Sequence, residues 1–476
     1  MADNTEKKCK YYGATYIVSD GYCRNCWKRL PDAVSPKEEL LNGVKKADWH
    51  FFIDKNASRI CESIPEDGAC VLATSNDVLQ YYKNVYYSDK SDMTYSHINT
   101  YIHEQPKSKT VCFKWDCEVA CDIETTKLVL YNKHSMVVWA EYLMSNKVTE
   151  IDIDNLYTNY DYAWQIIYKQ KNGNTIKSEI KCFRTRPGRR IINIEGVKNA
   201  RDLGGIITKK GSVIKQGLLY RSGEIDTPDH RITENGILVS SNILNIKTEI
   251  DLRKPEQRGE TSIIEQSLLG SNINYINYSC AEYNFFIELE NRNESDIIRI
   301  FSDYANYPIL FHCVYGADRT GTIAYLIEGL CGVELDELTK DYELTAWRNR
   351  TYEPYKALVA ASLELPGESL SDKIYKFFNE KLSLSKMEIS NIRNILTTNS
   401  AIFKSDSLKK PFNMSGEWVQ FHIELRDCHY IKQVRGINEE FAYKLNGDIL
   451  SIKTTDFSKS GMILFDDGGI LEFCLN

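Results

Sequence analysis

The stretch "PILFHCVYGADRTGTIAYLIEGLCG", residues 308–332, joins a strand pattern to a helix pattern through one short loop. Ile309 to Phe311 form a short apolar run typical of a buried strand, and the apolar residues between Ile323 and Leu330 recur with helical period. We expect Gly321 to open the helix. A strand–loop–helix connection of this kind points successive backbone N–H groups inward, at the positive end of the helix dipole. It therefore forms a nest for an anion such as a phosphate monoester.

Two side chains of this loop can carry chemistry. Cys313 lies at the rim of the nest, where N–H groups and the helix end favour the thiolate, which is the nucleophilic form. Arg319 follows six residues later, so its planar guanidinium can hold two phosphoryl oxygens, more strongly in the transition state than in the ground state. Gly316 lets the loop turn without a clashing Cβ. A lone cysteine after an apolar strand is more often a small buried hydrophobe, so the inference depends on the whole pattern.

The other loop residues are expected to support the bound phosphate. Thr320 can donate its hydroxyl to the sulfur and stabilise the thiolate as a leaving group. His312 is expected to order the loop by bonding to its backbone. The predicted phosphate-binding set is therefore Val314, Tyr315, Gly316, Ala317, Thr320 and His312.

The loop has the form HCxxGxDRTG, which resembles the protein tyrosine phosphatase superfamily and, within it, the bacterial-type tyrosine phosphatases. Further motifs occur in the same order as in that group: "NARDLGG" (199–205), "LYRSG" (219–223), "IDLR" (250–253) and, after the loop, "DYELT" (341–345). The resemblance covers about residues 190–400. It implies a central, mainly parallel sheet and a phosphocysteine intermediate. It also implies hydrolysis of phosphate monoesters with no cofactor for catalysis.

The general acid is less specifically marked. The leaving oxygen needs a proton from a nearby carboxylic acid, and no tryptophan–proline–aspartate triplet is present. The resemblance makes Asp318 the first candidate and Asp251 the second, although Asp251 could equally form an ion pair or a cap. Glu288 is third, in a segment, 282–303, that could fold as a lid. Arg221 is predicted either near the substrate or in a structural salt bridge.

The "NARDLGG" segment is expected to shape the site, with Arg201 pairing with Asp202 to lock its turn. Residues 190–400 alternate strand-like and helical runs, which predicts an α/β catalytic domain with a mainly parallel sheet. Ser385 and Glu388 form the spacing of a capping box.

The sequence patterns of two further regions predict β structure. In residues 62–187, Asn172-Gly173 marks a hairpin, and Leu156 with Tyr162 resembles the tyrosine corner of fibronectin type III and immunoglobulin-like sandwiches. Thr158 and Tyr160 stand where that pattern has proline and threonine. "RTRPGRR", residues 184–190, resembles a linker. Residues 408–476 alternate with period two, so we expect a small antiparallel β module with hairpins at Asn446-Gly447 and at 466–469.

Residues 1–32 resemble a degenerate zinc ribbon. Cys23-x-x-Cys26 is one half of a knuckle and Cys9 begins the other, but Tyr12 stands where a second cysteine is expected. We predict a structural zinc on Cys9, Cys23 and Cys26, with His50 as a candidate fourth ligand. The alternative is a vestigial knuckle that binds little metal.

Composition excludes several function classes. The net charge of −7 gives no global basic field for nucleic acid or an anionic membrane. No window holds the ~18 apolar residues of a membrane span. The first twenty residues do not form a signal peptide, so we expect the 14 cysteines to be free thiols in a cytoplasmic protein.

These observations predict a multidomain, cysteine-dependent phosphatase acting on a phosphorylated protein or a small phosphomonoester. Phosphotyrosine is favoured because lipid-directed members of the superfamily commonly carry lysine inside the loop, where this sequence has Ala317. One alternative is a phosphoinositide phosphatase in which Arg221 or Lys254 supplies the missing charge. The other is a catalytically silent scaffold. The β modules are expected to contact protein partners.

Overall fold

The computed structural model describes most of the chain after residue 109 and three short strands before it. The described residues are 6–8, 15–17, 51–52, 110–117, 123–185, 188–227, 230–258, 265–280, 282–283, 285–286, 293–345, 353–397, 401–426, 430–436, 439–456, 459–465 and 470–475. Cys9, Cys23, Cys26 and His50 lie outside these residues, so the zinc site stays a prediction. The chain forms two units, residues 1–72 with 108–188 and residues 73–107 with 189–476.

The first unit is built from antiparallel strands: β1 Glu6–Lys8, β2 Thr15–Ile17, β3 Phe51–Phe52, β4 Val111–Lys114, β5 Asp116–Cys117, β6 Ile123–Asn132, β7 Val138–Ser145, β8 Glu150–Ile153, β9 Asp161–Gln170, β10 Thr175–Lys177 and β11 Lys181–Arg184. Its main sheet has the order β10-β9-β6-β7, with β11 also paired to β9, and β4 pairs separately with β8. Phe113 of β4 meets Trp164 of β9 edge-to-face at 5.1 Å between ring centroids. The main sheet and the β4–β8 pair therefore share one hydrophobic core.

Two local features predicted for this unit are present. Strands β9 and β10 form a hairpin whose turn contains Gly173 at φ +87°. The buried Tyr162 hydroxyl accepts a hydrogen bond from the backbone N–H of Tyr157 at 2.7 Å, which is the contact expected of a tyrosine corner.

The α/β part of the second unit, from Arg201 to Thr397, alternates strands and helices. Its strands are β12 Arg201–Asp202, β13 Leu219–Ser222, β14 Asp226–Thr227, β15 His230–Arg231, β16 Thr248–Asp251, β17 Asn274–Asn277 and β18 Ile309–His312. Its α-helices are α1 Glu234–Leu238, α2 Asn293–Ile300, α3 Asp318–Leu330, α4 Leu335–Glu343, α5 Glu353–Glu364, α6 Leu370–Glu380 and α7 Lys386–Thr397. Helix α1 continues into a π-helical turn, and the short 3₁₀ helices here are Pro255–Gln257 and Tyr304–Asn306.

The five-stranded sheet of this region has the order β12-β13-β18-β16-β17. All its neighbours pair in parallel except β12, which is antiparallel to β13. Strand β18 is central and buried throughout, because helices cover both faces of a parallel sheet. His312 pairs in register with Ser222 on one side and Asp251 on the other. Three of the sequence motifs therefore end at the same carboxyl edge of the sheet.

Helix α3 begins earlier than the sequence predicted. Its first residue is Asp318, so Arg319 and Thr320 belong to its first turn and Gly321 lies inside it. Residues 319–330 are buried on every side, and α3 packs against α4 and α6. The predicted capping box of α7 is present: Glu388 N–H donates to Ser385 Oγ at 3.0 Å, and Ser385 N–H donates to Glu388 Oε2 at 2.7 Å.

The end of the chain is an antiparallel β region, as predicted. Its strands are β19 Ala401–Phe403, β20 Asn413–Ser415, β21 Trp418–Leu425, β22 Ile431–Arg435, β23 Tyr443–Asn446, β24 Ile449–Lys453, β25 Ser460–Phe465 and β26 Ile470–Cys474, with a 3₁₀ helix at Ser405–Ser407. They form the sheets β19-β21-β24-β23, with β20 on β21, and β22-β25-β26. The β23–β24 turn holds Gly447 at φ +61°. The second predicted hairpin turn, 466–469, lies outside the described residues.

Helix α7 joins this β region to the α/β part of the unit. Asn391 donates to the Phe403 carbonyl at 3.0 Å and accepts from the Phe403 N–H at 2.7 Å, and Met387 enters the β-region core. Within the described residues, no helix has both the length and the apolar character needed to cross a membrane.

Candidate active site

The loop between β18 and α3 turns its carbonyl groups outward. Val314 O accepts from the Glu224 N–H at 3.0 Å, and Tyr315 O accepts from Asn199 Nδ2 at 3.0 Å. Gly316 O accepts from Arg221 Nη2 at 2.6 Å and from Asn199 Nδ2 at 3.1 Å. In a trans peptide the N–H points opposite to the C=O, so the next N–H groups face the loop interior. These carbonyl directions are the ones expected of an anion nest.

Gly316 is the residue that makes the turn possible. Its φ of +67° lies in the left-handed region. A Cβ on Gly316 would stand 2.2 Å from the Ser222 carbonyl oxygen, so the loop packs directly on the end of β13.

A buried charge network holds the partners of the loop in place. Arg201 Nε donates to Asp341 Oδ1 at 2.7 Å, and Arg221 Nη1 pairs with Asp341 Oδ2. Arg201 Nη1 also donates to Asn199 Oδ1 at 2.6 Å. Asp341, from the "DYELT" motif, therefore fixes the two side chains that bind the loop carbonyls, Arg221 directly and Asn199 through Arg201.

This network corrects one prediction and decides another. Arg201 does not pair with Asp202; Asp202 instead accepts from Arg190 at 2.7 Å and from the N–H groups of Gly204 and Gly217. Arg221 is buried and occupied by Asp341 and the Gly316 carbonyl. The salt-bridge alternative for Arg221 is therefore the one that the structure favours.

Cys313 has the environment of a thiolate. Its side chain lies directly after β18, and the residue is 1% exposed. Burial alone would raise the pKa of the thiol. The charge of Arg319, with smaller contributions from the Thr320 hydroxyl and N–H, outweighs burial, so the pKa of Cys313 lies below its ordinary value of 9.0. The buried Thr320 hydroxyl has no oxygen, nitrogen or sulfur partner at hydrogen-bond distance in the described part of the chain.

Arg319 is held by one end of its guanidinium. Nη1 donates to the Leu252 carbonyl at 3.1 Å and to Gln257 Oε1 at 2.7 Å. Nε is buried and has no hydrogen-bond partner among the described residues. The nearest recorded carboxylate, Glu282 Oε1, is 3.9 Å from Nε, and its side chain is 59% exposed. The segment "IDLRKPEQ", residues 250–257, therefore orients the guanidinium. This orientation leaves Nε to bind an oxyanion.

His312 has a stronger partner than the loop backbone. Its Nε2 lies 2.9 Å from Glu249 Oε1, whereas Nδ1 lies 3.4 Å from the Cys313 carbonyl, which is long for a hydrogen bond. Burial lowers the pKa of His312, but the charges of Asp251 and Glu249 raise it more, so the net shift is upward. The buried contact between His312 and Glu249 then fixes the end of β18.

The candidate acids differ in their surroundings. Asp251 accepts from Arg253 Nε at 2.9 Å, from Arg253 Nη2 at 2.8 Å and from the Tyr275 hydroxyl at 2.9 Å. Burial would raise the pKa of Asp251, but the effects of His312 and Arg253 outweigh burial, so the pKa lies below its ordinary value. A lowered pKa suits a structural carboxylate. Asp318 opens α3 beside the nest and accepts from the Tyr283 hydroxyl at 2.5 Å. Glu288 lies outside the described residues.

Sequence reasoning missed Gln257, Glu249 and Tyr283, and it gave Asn199 and Asp341 only as parts of motifs. Gln257, Glu249, Tyr283 and Asn199 contact the loop or a side chain at its ends from other segments of the chain, whereas Asp341 acts through Arg201 and Arg221. Asn199 has a φ of +59°, a conformation that asparagine tolerates better than most residues. The residue type itself was therefore a local signal in the sequence.

Comparison with known proteins agrees with this geometry. Residues 192–398 match the family model described as "Tyrosine phosphatase family", a range that contains the loop and all four accompanying motifs. A candidate tyrosine-protein phosphatase of Cupriavidus necator is 23% identical over 190 residues, covering 35% of this chain. That match spans 66% of the relative, slightly less than two thirds of its length.

Two solved structures are also similar to part of the chain. The catalytic domain of the PP-IP phosphatase Siw14 from S. cerevisiae, bound to citrate, is 17% identical, with a TM-score of 0.25 over 36% of this chain and 86% of that one. A second structure of the Siw14 catalytic core is 17% identical, with a TM-score of 0.24 over 36% and 88%. The family model and the C. necator relative are both described as tyrosine phosphatases, and the family match covers the part of this chain that holds the loop.

Proposed function

We propose that the chain is a cysteine-dependent phosphatase that hydrolyses phosphate monoesters through a phosphocysteine on Cys313. The observation that carries this proposal is the arrangement of the 313–319 loop. A thiol of lowered pKa lies in a nest of inward N–H groups, and the buried Nε of Arg319 has no hydrogen-bond partner among the described residues. Both features fit a phosphoryl group, which brings negative oxygens to the nest and an electrophilic phosphorus to the sulfur.

In the first step, Cys313 Sγ attacks phosphorus and the S–P bond forms while the P–O bond to the leaving group breaks. The loop N–H groups and Arg319 bind the phosphoryl oxygens as their charge redistributes. Asp318, protonated, gives its proton to the departing oxygen. One donor of this kind typically contributes about 10²–10³-fold in rate, and a positioned general acid about 10²–10⁴-fold.

In the second step, water attacks phosphorus and the S–P bond breaks. Asp318, now a carboxylate, takes the proton of the water, and the electron pair of the S–P bond returns to Cys313 as the thiolate. The Thr320 hydroxyl stabilises that thiolate as it leaves. The phosphoryl charge is met by N–H groups and Arg319, so the proposed reaction uses no metal and should proceed in a chelator.

For the substrate we propose phosphotyrosine or a phosphoprotein. Ala317 is buried in the loop and brings no charge that would meet a second phosphate. Tyr315 is 41% exposed in the same loop, where its ring can stack on the ring of an aryl phosphate. For the phosphoinositide alternative, Arg221 is already occupied by Asp341, so the extra charge would have to come from the exposed Lys254.

The test compares wild type with Cys313→Ser on para-nitrophenyl phosphate, a phosphotyrosine peptide and a soluble phosphoinositide, all with a chelator present. We expect wild-type turnover, preference for the peptide in kcat/KM, and no turnover by the variant. Higher kcat/KM on the phosphoinositide would reject the substrate proposal. Absence of wild-type turnover on every ester would favour the scaffold alternative.

We propose that residues 62–187 form an immunoglobulin-like sandwich, supported by the corner hydrogen bond of Tyr162 and the shared core of β4–β8 and the main sheet. We propose that this region and residues 408–476 bind protein partners, that residues 1–32 hold a structural zinc, and that the protein is cytoplasmic. Metal analysis of purified wild type and of Cys23→Ser tests the zinc site.

A further inference from the structure

A tyrosine that the mechanism above leaves unused contacts the carboxyl group of Asp318. Tyr283 donates its hydroxyl to Asp318 Oδ1 at 2.5 Å. Tyr283 lies between β17 and α2, whereas Asp318 is the first residue of α3. The proposed acid is therefore held by a segment that is distant in sequence and separate from the phosphate-binding loop.

Tyr283 is supported by other rings. Its ring meets Tyr342 of α4 edge-to-face at 6.3 Å, and the two hydroxyl oxygens are 3.4 Å apart. Tyr342 in turn stacks on Tyr355 of α5, with centroids 4.1 Å apart and planes 12° from parallel. Tyr342 and Tyr355 are both buried. Two helices therefore fix the direction from which the Tyr283 hydroxyl reaches Asp318.

The direction of this hydrogen bond decides where the acid carries its proton. Burial, and then the charge of Asp318, raise the pKa of Tyr283 above its ordinary value of 10.0, so the phenol stays a donor at neutral pH. Because Oδ1 accepts the phenol proton, a protonated Asp318 carries its own proton on Oδ2. The bond also restrains rotation of the carboxyl group about its Cβ–Cγ bond.

We infer that Tyr283 is a positioning residue that orients Asp318, so that Oδ2 presents the transferable proton to the leaving oxygen. The inference rests on the proposed function, because it assigns a role within that reaction. It predicts a specific kinetic signature. Loss of the hydroxyl should impair proton donation, which matters most for leaving groups that are poor without a proton, and should spare the binding of phosphate.

The experiment measures kcat/KM of the full chain and of Tyr283→Phe on a phosphotyrosine peptide and on para-nitrophenyl phosphate, whose leaving group departs readily without a proton. We expect a loss of about tenfold on the peptide and less than about threefold on the nitrophenyl ester, a part of what a general acid supplies. Tyr325→Phe is the matched control, because its buried hydroxyl bonds Ser362 at 2.7 Å, away from the loop, and should change neither rate.

A double-mutant cycle with Asp318→Asn completes the test. If Tyr283 acts through Asp318, the double variant is no slower on the peptide than Asp318→Asn alone. The positioning role would be overturned by equal losses on both esters or by no loss at all. It would also be overturned by multiplied effects in the cycle, or by a Tyr283→Phe chain that does not fold. Failure of the proposed function is distinguishable, because it would show first as absent wild-type turnover or as activity in Cys313→Ser.

Discussion

Gly316 shows how closely the loop is determined at the scale of single residues. We expect Gly316→Ala to lower kcat/KM by at least ~100-fold, because the new Cβ would displace the loop from Ser222 and misdirect the nest N–H groups. The backbone strain alone costs about 1 kcal/mol of folding free energy. Steady-state kinetics and thermal unfolding measure the two effects.

Gly211→Ala is the control for that substitution. Gly211 also has positive φ, +84°, but a Cβ there would meet nothing within 4 Å. The Gly211→Ala variant should therefore have a lower Tm because of the backbone strain and keep the wild-type kcat/KM. Near-normal activity in Gly316→Ala would mean that the loop tolerates displacement and is not the rigid nest described here.

The pKa of Cys313 gives a second prediction at this scale. Arg319 is the largest influence that lowers it, and burial opposes it, so Arg319→Met should raise the pKa of the thiol. The rate of alkylation by iodoacetamide, followed at Cys313 by peptide mass spectrometry across pH, should have a midpoint below 9.0 in wild type and a higher one in the variant.

Cys331 serves as an internal reference in the alkylation experiment, because burial raises its pKa to about 12 and it should react slowly throughout. A wild-type midpoint for Cys313 at or above 9.0 would contradict the thiolate assignment.

Among single residues, the roles that depend on neighbouring positions in the chain could be predicted from the sequence. Cys313, Arg319 and the need for Gly316 follow from spacing within one loop. The pairing of Arg201 with Asp202 was wrong because both lie in β12, where consecutive side chains point to opposite faces of the sheet. Arg201 reaches Asp341, 140 residues further along the chain, and no local pattern indicates that contact.

At the scale of elements, periodicity predicted the strands that end at the site and the capped helix α7. The predicted start of α3 at Gly321 is wrong, because the residue that makes the turn is Gly316 and the helix begins at Asp318. The tyrosine corner was found from a partial pattern, since the hydrogen bond needs only the Tyr162 hydroxyl and a backbone N–H.

We expect Tyr162→Phe to destabilise the first unit by about 0.5–1.5 kcal/mol, because the partly buried Tyr157 N–H loses this hydrogen bond. The activity of the catalytic part should not change. Chemical unfolding with kinetics in parallel measures both, and Tyr131→Phe on the neighbouring strand β6 is the control. A variant as stable as wild type would show that the corner bond contributes nothing net.

At the scale of the whole molecule, the segment 184–190 is not a simple linker. Arg189 and Arg190 are buried, and they pair with Glu328 at 2.5 Å and with Asp202 at 2.7 Å. A truncated chain that starts at Gly188 should keep kcat on a small aryl phosphate within about twofold. One that starts at Ile191 should lose about 3–5 kcal/mol for each buried partner left unpaired.

Expression, Tm and kcat of the two truncated chains test this boundary. Equal stability of both would show that the arginine pairs do not anchor the catalytic part. A folded 188–476 chain with kcat reduced ~100-fold would show that residues before Gly188 help to build the active site.

The central claim is a covalent phosphocysteine on Cys313, and rapid acid quench of the enzyme during turnover of a phosphotyrosine peptide tests it most directly. Mass spectrometry of the quenched protein should find one phosphoryl group on the peptide that contains Cys313. With para-nitrophenyl phosphate, whose leaving group departs readily without a proton, Asp318→Asn should accumulate more of this group than wild type, because hydrolysis loses its base while formation hardly needs the acid. Cys313→Ser should show neither label nor turnover. Turnover with the label on another residue, or turnover retained by Cys313→Ser, would contradict the account.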